Sequence, residues 1–408
     1  MDTAVLPRRG FVALYALGYV GAYVALVTPV ASTLALKVAD LDPEGKAASL
    51  GLISAVGALF AMVANPLAGA LSDRSTSPFG RRRPFIVGGA GVGLVGLAIV
   101  GFAPSIPVVL LGWVIAQLAF NLVLAALQAL LPDQIAPEKR ARVSAILGIS
   151  QQVSPLVGIG IATGVLAAGA GFGAVFIVPG LVGAVLLGLL VWRLDDVPLA
   201  SAEPFRLGEF LRGFRPTPGK ARDFGLAWFG RFFVILGFAM YTTYQVYFII
   251  DRLGIAEEDV TVIQLVAVLI FSIVLTISAV VSGRLSDKWG RRKIFVYLAV
   301  GIVGLGMLLL AFTATVALFY VAAVVMGLGI GAFFAVDLAL VTDVLPDSEH
   351  AAAKDLGIFN IANALPQSVA PAIAPVLLAV GDYTLLFAAA AVLAFVGAAF
   401  IVPIKAVR

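Results

Sequence analysis

The sequence predicts an all-α membrane protein, with twelve transmembrane helices in two pseudo-symmetric six-helix bundles. Three observations carry this expectation. Of 408 residues, 61% are hydrophobic and only 12% charged, and mean hydropathy is +1.07, whereas soluble domains carry about 25% charged residues. Apolar runs of about 20 residues, enough to cross a bilayer, recur along the chain. They are continuous rather than alternating, which selects helices over a barrel as the way to satisfy the backbone in lipid. Finally, LSDRSTSPFGRRRPF at 71–85 returns in shorter form as GRLSDKWGRRKIF at 283–295, so the chain reads as a duplication.

In order, the spans fall near 11–36, 47–71, 84–103, 106–131, 142–168 and 172–192, then 223–250, 259–284, 294–314, 317–344, 354–380 and 383–403. The first is too long for a signal peptide and lacks a small-residue cleavage site, so it is expected to stay as an anchor. A cationic knot joins the second helix to the third in each half. The third span contains GGAGVGLVGLAIVG at 88–101. No strand precedes these glycines, so they read as surfaces for close helix packing rather than as a phosphate loop. The fourth span ends in ALLPD (129–133) and the tenth runs into DVLPD (343–347), a weaker echo at matching places. Residues 193–222 are polar and Pro-rich, with an amphipathic patch at 205–214, and read as a linker lying on the membrane surface. The expected domains are therefore a bundle at 1–192, the linker at 193–222 and a second bundle at 223–408.

Lysine and arginine set the orientation, because cytoplasmic loops carry their excess. With both termini inside, 23 of the 27 cations fall on the cytoplasmic side and only Lys37, Lys46 and Arg252 outside. The expected location is the cell (inner) membrane. Cysteine is absent, which excludes disulfides and thiolate metal sites, and the lone His350, in a polar loop, reads as solvated. No metal, cofactor or nucleic acid is expected, and the chain is expected to be monomeric.

The remaining cation, Arg231, lies inside the seventh span, and Asp337 lies inside the tenth. An ionisable side chain at such depth costs about 2.5–3.5 kcal/mol on insertion scales. At 1.5 Å per residue both stand about 12 Å from the same membrane face, so they are placed to pair. Two readings follow. Either the pair permanently joins helices seven and ten, or Asp337 is a protonatable site whose pKa Arg231 tunes, with Arg231 meeting substrate when the pair opens.

Uncharged polar residues form stripes. Gln117, Asn121 and Gln128 share a face of the fourth helix, and Tyr15, Tyr19 and Tyr23 recur at successive turns of the first. The seventh helix continues from Arg231 through Phe238, Tyr241 and Thr242 to Gln245. The fifth offers Gln151 and Gln152, and the eleventh Asn360, Asn363 and Gln367. Amides and aromatic faces suit a polyhydroxylated ligand. Single amides also act as glue between membrane helices, worth about 0.6–2 kcal/mol each.

Within the knots, Gly69, Asp73, Arg74, Gly80, Arg81 and Arg82 answer Gly283, Asp287, Lys288, Gly290, Arg291 and Arg292. This pattern resembles the cytoplasmic signature of the major facilitator superfamily. The N-terminal copy, with four extra residues and the ending GRRRPF, is similar to that of the glycoside-pentoside-hexuronide and sucrose transporters. The resemblance implies two halves alternating around a central site lined by helices one, four, seven and ten. It also implies a gating role for the knots, whose arginines would pair with acids at other helix ends; Asp133, Asp343 and Asp347 are the candidates. The alternative is that these cations merely obey the positive-inside rule.

The chain departs from those relatives where they couple to ions. Asn65 and Ala61 stand where sodium-coupled glycoside transporters bear acids, and Gln117 where plant-type sucrose transporters bear one. Hard cations need anionic oxygen ligands to offset dehydration, so a sodium site of that design is not expected. Coupling then falls to a proton on Asp337. The expected function is a proton-coupled symporter of a disaccharide or glycoside, with an uncoupled sugar facilitator and a proton-driven exporter of amphipathic compounds as alternatives. An enzyme is not expected, since no nucleophile and base, metal cluster or ATP-binding loop is present.

Overall fold

A computed structural model describes residues 10–199, 201, 208, 221–344 and 352–405. Among these, twelve helices are long and apolar enough to cross a membrane. They are α1 (Phe11–Leu41), α2 (Lys46–Asp73), α3 (Arg83–Phe102), α4 (Ile106–Gln134), α5 (Pro137–Ala167) and α6 (Phe172–Arg193) in the first half. The second half holds α7 (Arg222–Arg252), α8 (Glu257–Trp289), α9 (Arg292–Phe312), α10 (Val316–Asp343), α11 (Ala352–Val380) and α12 (Tyr383–Ile401). The chain divides into two compact units, Met1–Phe205 and Arg206–Arg408. Asp347, His350 and, save Gly208, the amphipathic patch at 205–214 lie outside the described residues.

Helix ends differ from the hydropathy reading where charged residues belong to the helix. The first helix continues past 36 to Leu41 through a π-helical turn at Pro29–Thr33. Proline has no N–H to offer the turn before it, and a widened turn accommodates it without ending the helix. Lys37, expected in a loop, is thus buried within α1 near its end, its ammonium 3.6 Å from Asp40 and 5.1 Å from the centre of the Phe172 ring. The fifth helix starts at Pro137 rather than 142, with proline at its N-terminus and a charged first turn. The eighth runs on to Trp289 and stops at Gly290, whose φ of +62° closes it. An average over apolar residues stops at the water line, whereas hydrogen bonding does not.

Both units are built by the same helix pairings. In the first, α3 packs on α4, α2 on α4, α1 on α6, α3 on α6 and α1 on α5; in the second, α9 packs on α10, α8 on α10, α7 on α12, α9 on α12 and α7 on α11. Lipid supplies no hydrophobic drive between helices, so close backbone approach carries the packing. The glycines of the third helix show this: Gly89, Gly93 and Gly96 all face α4. A Cβ on Gly96 would stand 2.7 Å from the backbone nitrogen of Ala116 and 2.8 Å from the carbonyl of Gly112, and neither atom can yield. Gly91, on the same helix, has open space beside it.

Gly96→Ala is therefore expected to force α3 away from α4 and cost about 1–3 kcal/mol, the usual range for overpacking. Gly91→Ala is expected to be neutral or to stabilise by up to about 1 kcal/mol through helix propensity. Thermal melting of the detergent-solubilised protein separates the two, and equal melting temperatures would show that the glycine contact does not set the packing.

Candidate functional site

In the second unit the structure joins Arg231 of α7 to Asp337 of α10 through Nη1 and a carboxylate oxygen. Both are buried, 9% and 2% exposed. The guanidinium also donates from Nε to Oδ1 of Asn363 on α11, at 2.7 Å. Asn363 in turn donates to Oδ1 of Asn360 at 3.1 Å, and Gln367 donates to the backbone carbonyl of Asn363 at 3.1 Å. The planar fork of arginine suits this arrangement, because donors on two edges reach acceptors on two different helices. Three rings surround the cation: Phe359 at 4.8 Å, Phe334 at 5.7 Å and Phe333 at 6.0 Å from Cζ to ring centre. Nearby, the Trp228 indole donates to the carbonyl of Ile358 at 3.0 Å and pins α7 to α11.

The other polar stripes are placed less tightly. On α7, Tyr241 lies against Phe238 and Phe387, Thr242 donates to the carbonyl of Ala239 at 3.3 Å, and Gln245 is buried. In the first unit Asn121 donates to the carbonyl and side-chain oxygen of Gln117, at 2.8 and 3.3 Å, and both are buried on α4. Gln128, read on the same face, is exposed, as are Gln151 and Gln152 on α5. Tyr19 stacks on Tyr23 with 6.0 Å between ring centres, while Tyr15 donates to the carbonyl of Leu127 at 2.5 Å, tying α1 to α4.

Each knot closes on an acid at the end of the fourth helix of its own unit. Arg82, 2% exposed, donates to Asp73 at 2.6 Å, to Asp133 at 2.9 Å and to Ser72 at 2.6 Å. Arg81 meets the other oxygen of Asp133 at 2.6 Å, and Arg74 donates back to the carbonyl of Ala70 at 3.0 Å. In the second unit Arg292 meets Asp343 at 2.6 Å, the carbonyl of Ala339 at 2.9 Å and Asp287 at 4.0 Å, while Asp287, Lys288, Gly290 and Arg291 are exposed. The repeat thus equates Asp133 with Asp343, each 51 residues beyond its arginine. The LPD echo is out of step with this: it aligns Asp133 with Asp347, four positions farther along the sequence.

Four features escape a reading of the sequence. Asp196, beyond α6, accepts from the backbone N–H groups of Arg82 and Arg83 at 2.6 and 2.7 Å, an anion on the exposed donors that open α3. Gly80 makes room for it: its φ is +109°, and a Cβ there would collide with the Asp196 carboxylate. The phenyl cage of Arg231 was marked only by Phe333 and Phe334 preceding Asp337 by about one turn. Asp355, 1% exposed on α11, sits beside Lys354 in a polar stretch that reads as surface.

The chain matches the sequence model of the Major Facilitator Superfamily over residues 10–256 and 227–407. It is 31% identical over 142 residues to an uncharacterized MFS-type transporter, YfiU, of Bacillus subtilis (strain 168), a stretch of 34% of this chain. That match spans 27% of the relative's length. Among solved structures, a crystal structure of a mutant of the nucleoside transporter NupG superposes with a TM-score of 0.77 at 13% identity, over 97% of this chain and 100% of that one. The fold is shared.

Two predictions follow from the ion pairs. Arg231→Ala strands the Asp337 carboxylate among apolar side chains and is expected to cost about 3–5 kcal/mol, whereas Arg231→Met combined with Asp337→Leu recovers most of it. Melting in detergent checks this, and a single variant as stable as the double one would refute it. By the same measurement Arg82→Gln is expected to lower the melting temperature more than Arg292→Gln, because Arg82 is enclosed and Arg292 is 30% exposed.

Proposed function

The chain belongs to the Major Facilitator Superfamily, and from that premise we propose that it is a multi-pass secondary transporter that carries a sugar or glycoside together with a proton by alternating access. The observation that supports this reading is the buried Arg231–Asp337 pair with Asn363 on the second edge of the guanidinium. A proton delivered to Asp337 removes the charge that answers Arg231. The guanidinium then holds Asn363 and the faces of three phenylalanines, and a donor is free. A neutral hydroxyl or ring oxygen of the solute can take that donor, and Asn360 and Gln367 offer further amide contacts along α11. Binding of solute and proton are thereby linked, each favouring the other by the same factor.

A nucleoside is itself a glycoside, so the solute of the structural neighbour falls within this class. The phenyl cage favours one other reading, a proton-driven exporter of amphipathic compounds, for which an apolar lining is the better match. Gln117, Asn121, Tyr19, Tyr23, Gln151, Gln152, Tyr241, Thr242 and Gln245 belong to the proposed solute path, and the knots of Asp73–Arg82 and Asp287–Arg292 to the proposed gate. Both termini are assigned to the cytoplasm on the distribution of cations.

Reconstituted protein is expected to accumulate labelled sucrose, maltose, a monosaccharide or a nucleoside when an inward pH gradient is imposed. No uptake of any of them, alongside extrusion of a lipophilic dye, would replace this reading with the exporter. Asp337→Asn is expected to abolish gradient-driven accumulation while solute exchange persists; accumulation at the wild-type level would remove Asp337 from coupling.

A further inference from the structure

Each unit carries a groove between its third and sixth helices, at the end that bears the cationic knot. In the first unit it measures about 340 Å³ and is lined by Phe79, Arg83, Pro84, Val87, Gly88 and Val191. In the second it measures about 250 Å³ and is lined by Lys293, Ile294, Tyr297, Leu298, Ile401 and Val402. The shift of 210 positions that carries Arg82 onto Arg292 also carries Arg83 onto Lys293, Val87 onto Tyr297, and Val191 onto Ile401. The cations are held alike. Arg83 donates from Nη2 to the carbonyl of Leu194, and Lys293 donates to Val402 and to Ile404, the position equivalent to Leu194.

We propose that these are paired sites for an anionic phospholipid, with the headgroup phosphate on Arg83 or Lys293 and an acyl chain along the apolar groove. Both cations keep donors in hand. Arg83 spends an Nη2 donor on one carbonyl, out of the five N–H groups of a guanidinium, and Lys293 spends two of its three on carbonyls. Every other lining residue is apolar or aromatic, which suits a chain of methylenes and gives a soluble anion nothing to bind beyond the single cation. Exposed apolar side chains continue from the grooves along the same helices, through Val92 and Val95 on α3 and Leu305 on α9, as on surfaces that meet lipid. Exposed aromatic residues mark the rim, Phe79 and Trp192 in one unit and Tyr297 in the other, as side chains do at the headgroup level. A basic pocket between helices near one membrane face has the chemistry of an anionic headgroup site, and a zwitterionic lipid would bring its own cation against Arg83.

Native mass spectrometry of the full chain, released from micelles doped with dioleoylphosphatidylglycerol or dioleoylphosphatidylcholine, tests the proposal. The expected result is retention of two phosphatidylglycerols and no phosphatidylcholine. Arg83→Gln should leave one bound lipid, and Arg83→Gln with Lys293→Gln none. Gly88→Leu, whose new Cβ enters open space, should also leave one without removing a charge, and it stands as the test if the arginine variant fails to fold. Equal retention of the two lipids, an unchanged count in Gly88→Leu, or displacement by glycerol 3-phosphate at concentrations comparable to the lipid would each overturn it.

Discussion

A guanidinium held among apolar helices must be answered within reach of its own planar fork, and this requirement organises both units. Arg231 binds Asp337 and Asn363, so three helices meet at one cation. Arg82 binds Asp73, Asp133 and Ser72, so the loop between α2 and α3 is fastened to the end of α4. Packing of small residues brings the helices close, but it is nondirectional, and a stripe of glycines tolerates sliding. The arginines fix register, because sliding a helix would part a buried charge from the acids that answer it.

The duplication makes the differences between the units informative. Beyond the four extra residues of the first knot, a shift of 210 positions carries Asp133 onto Asp343 and Leu127 onto Asp337. In the first unit the carbonyl of Leu127 takes the hydroxyl of Tyr15. Where one half ties its first helix to its fourth with a neutral hydrogen bond, the other places an ion pair. The knots diverge in the opposite sense: Arg82 is enclosed by its acids and by Asp196 on the following backbone, while Arg292 is 30% exposed. Such specialisation is what a gene duplication permits once a single fold is secured, with rigid scaffolding concentrated in one copy and a buried ion pair in the other.

How much of this was legible follows from how each signal arises. The spans and the pairing of Arg231 with Asp337 could be read because lipid excludes charge, so two survivors at equal depth have few other partners. The knots could be read because they recur. Their register could not, since LPD matches at the level of letters while the contact is set by helical turns, and Asp343 rather than Asp347 occupies the place of Asp133. Asp196 was hidden in a polar stretch after α6, where nothing marks which of two adjacent aspartates caps a helix elsewhere. Asp355 was hidden for the converse reason, because its polar neighbours made a buried acid look like surface. Asn363 was visible as one of a stripe, but only folding shows that it shares Arg231 with the carboxylate.

On the proposed mechanism, the ring cage is what would let a pair so enclosed open. Breaking a buried ion pair by neutralising one member ordinarily costs about 3–5 kcal/mol, enough to lock it. A cation over aromatic faces recovers about 2 kcal/mol or more when desolvated, and Phe359, Phe334 and Phe333 all lie within reach of the guanidinium. Asn363 also accepts a hydrogen bond from Nε, at 2.7 Å. On the proposed mechanism, protonation of Asp337 therefore leaves Arg231 with partial compensation rather than none, and a solute oxygen supplies the remainder. On that mechanism a leucine-lined site would hold the same pair shut, and the phenylalanines would make its opening a matter of proton and solute acting together.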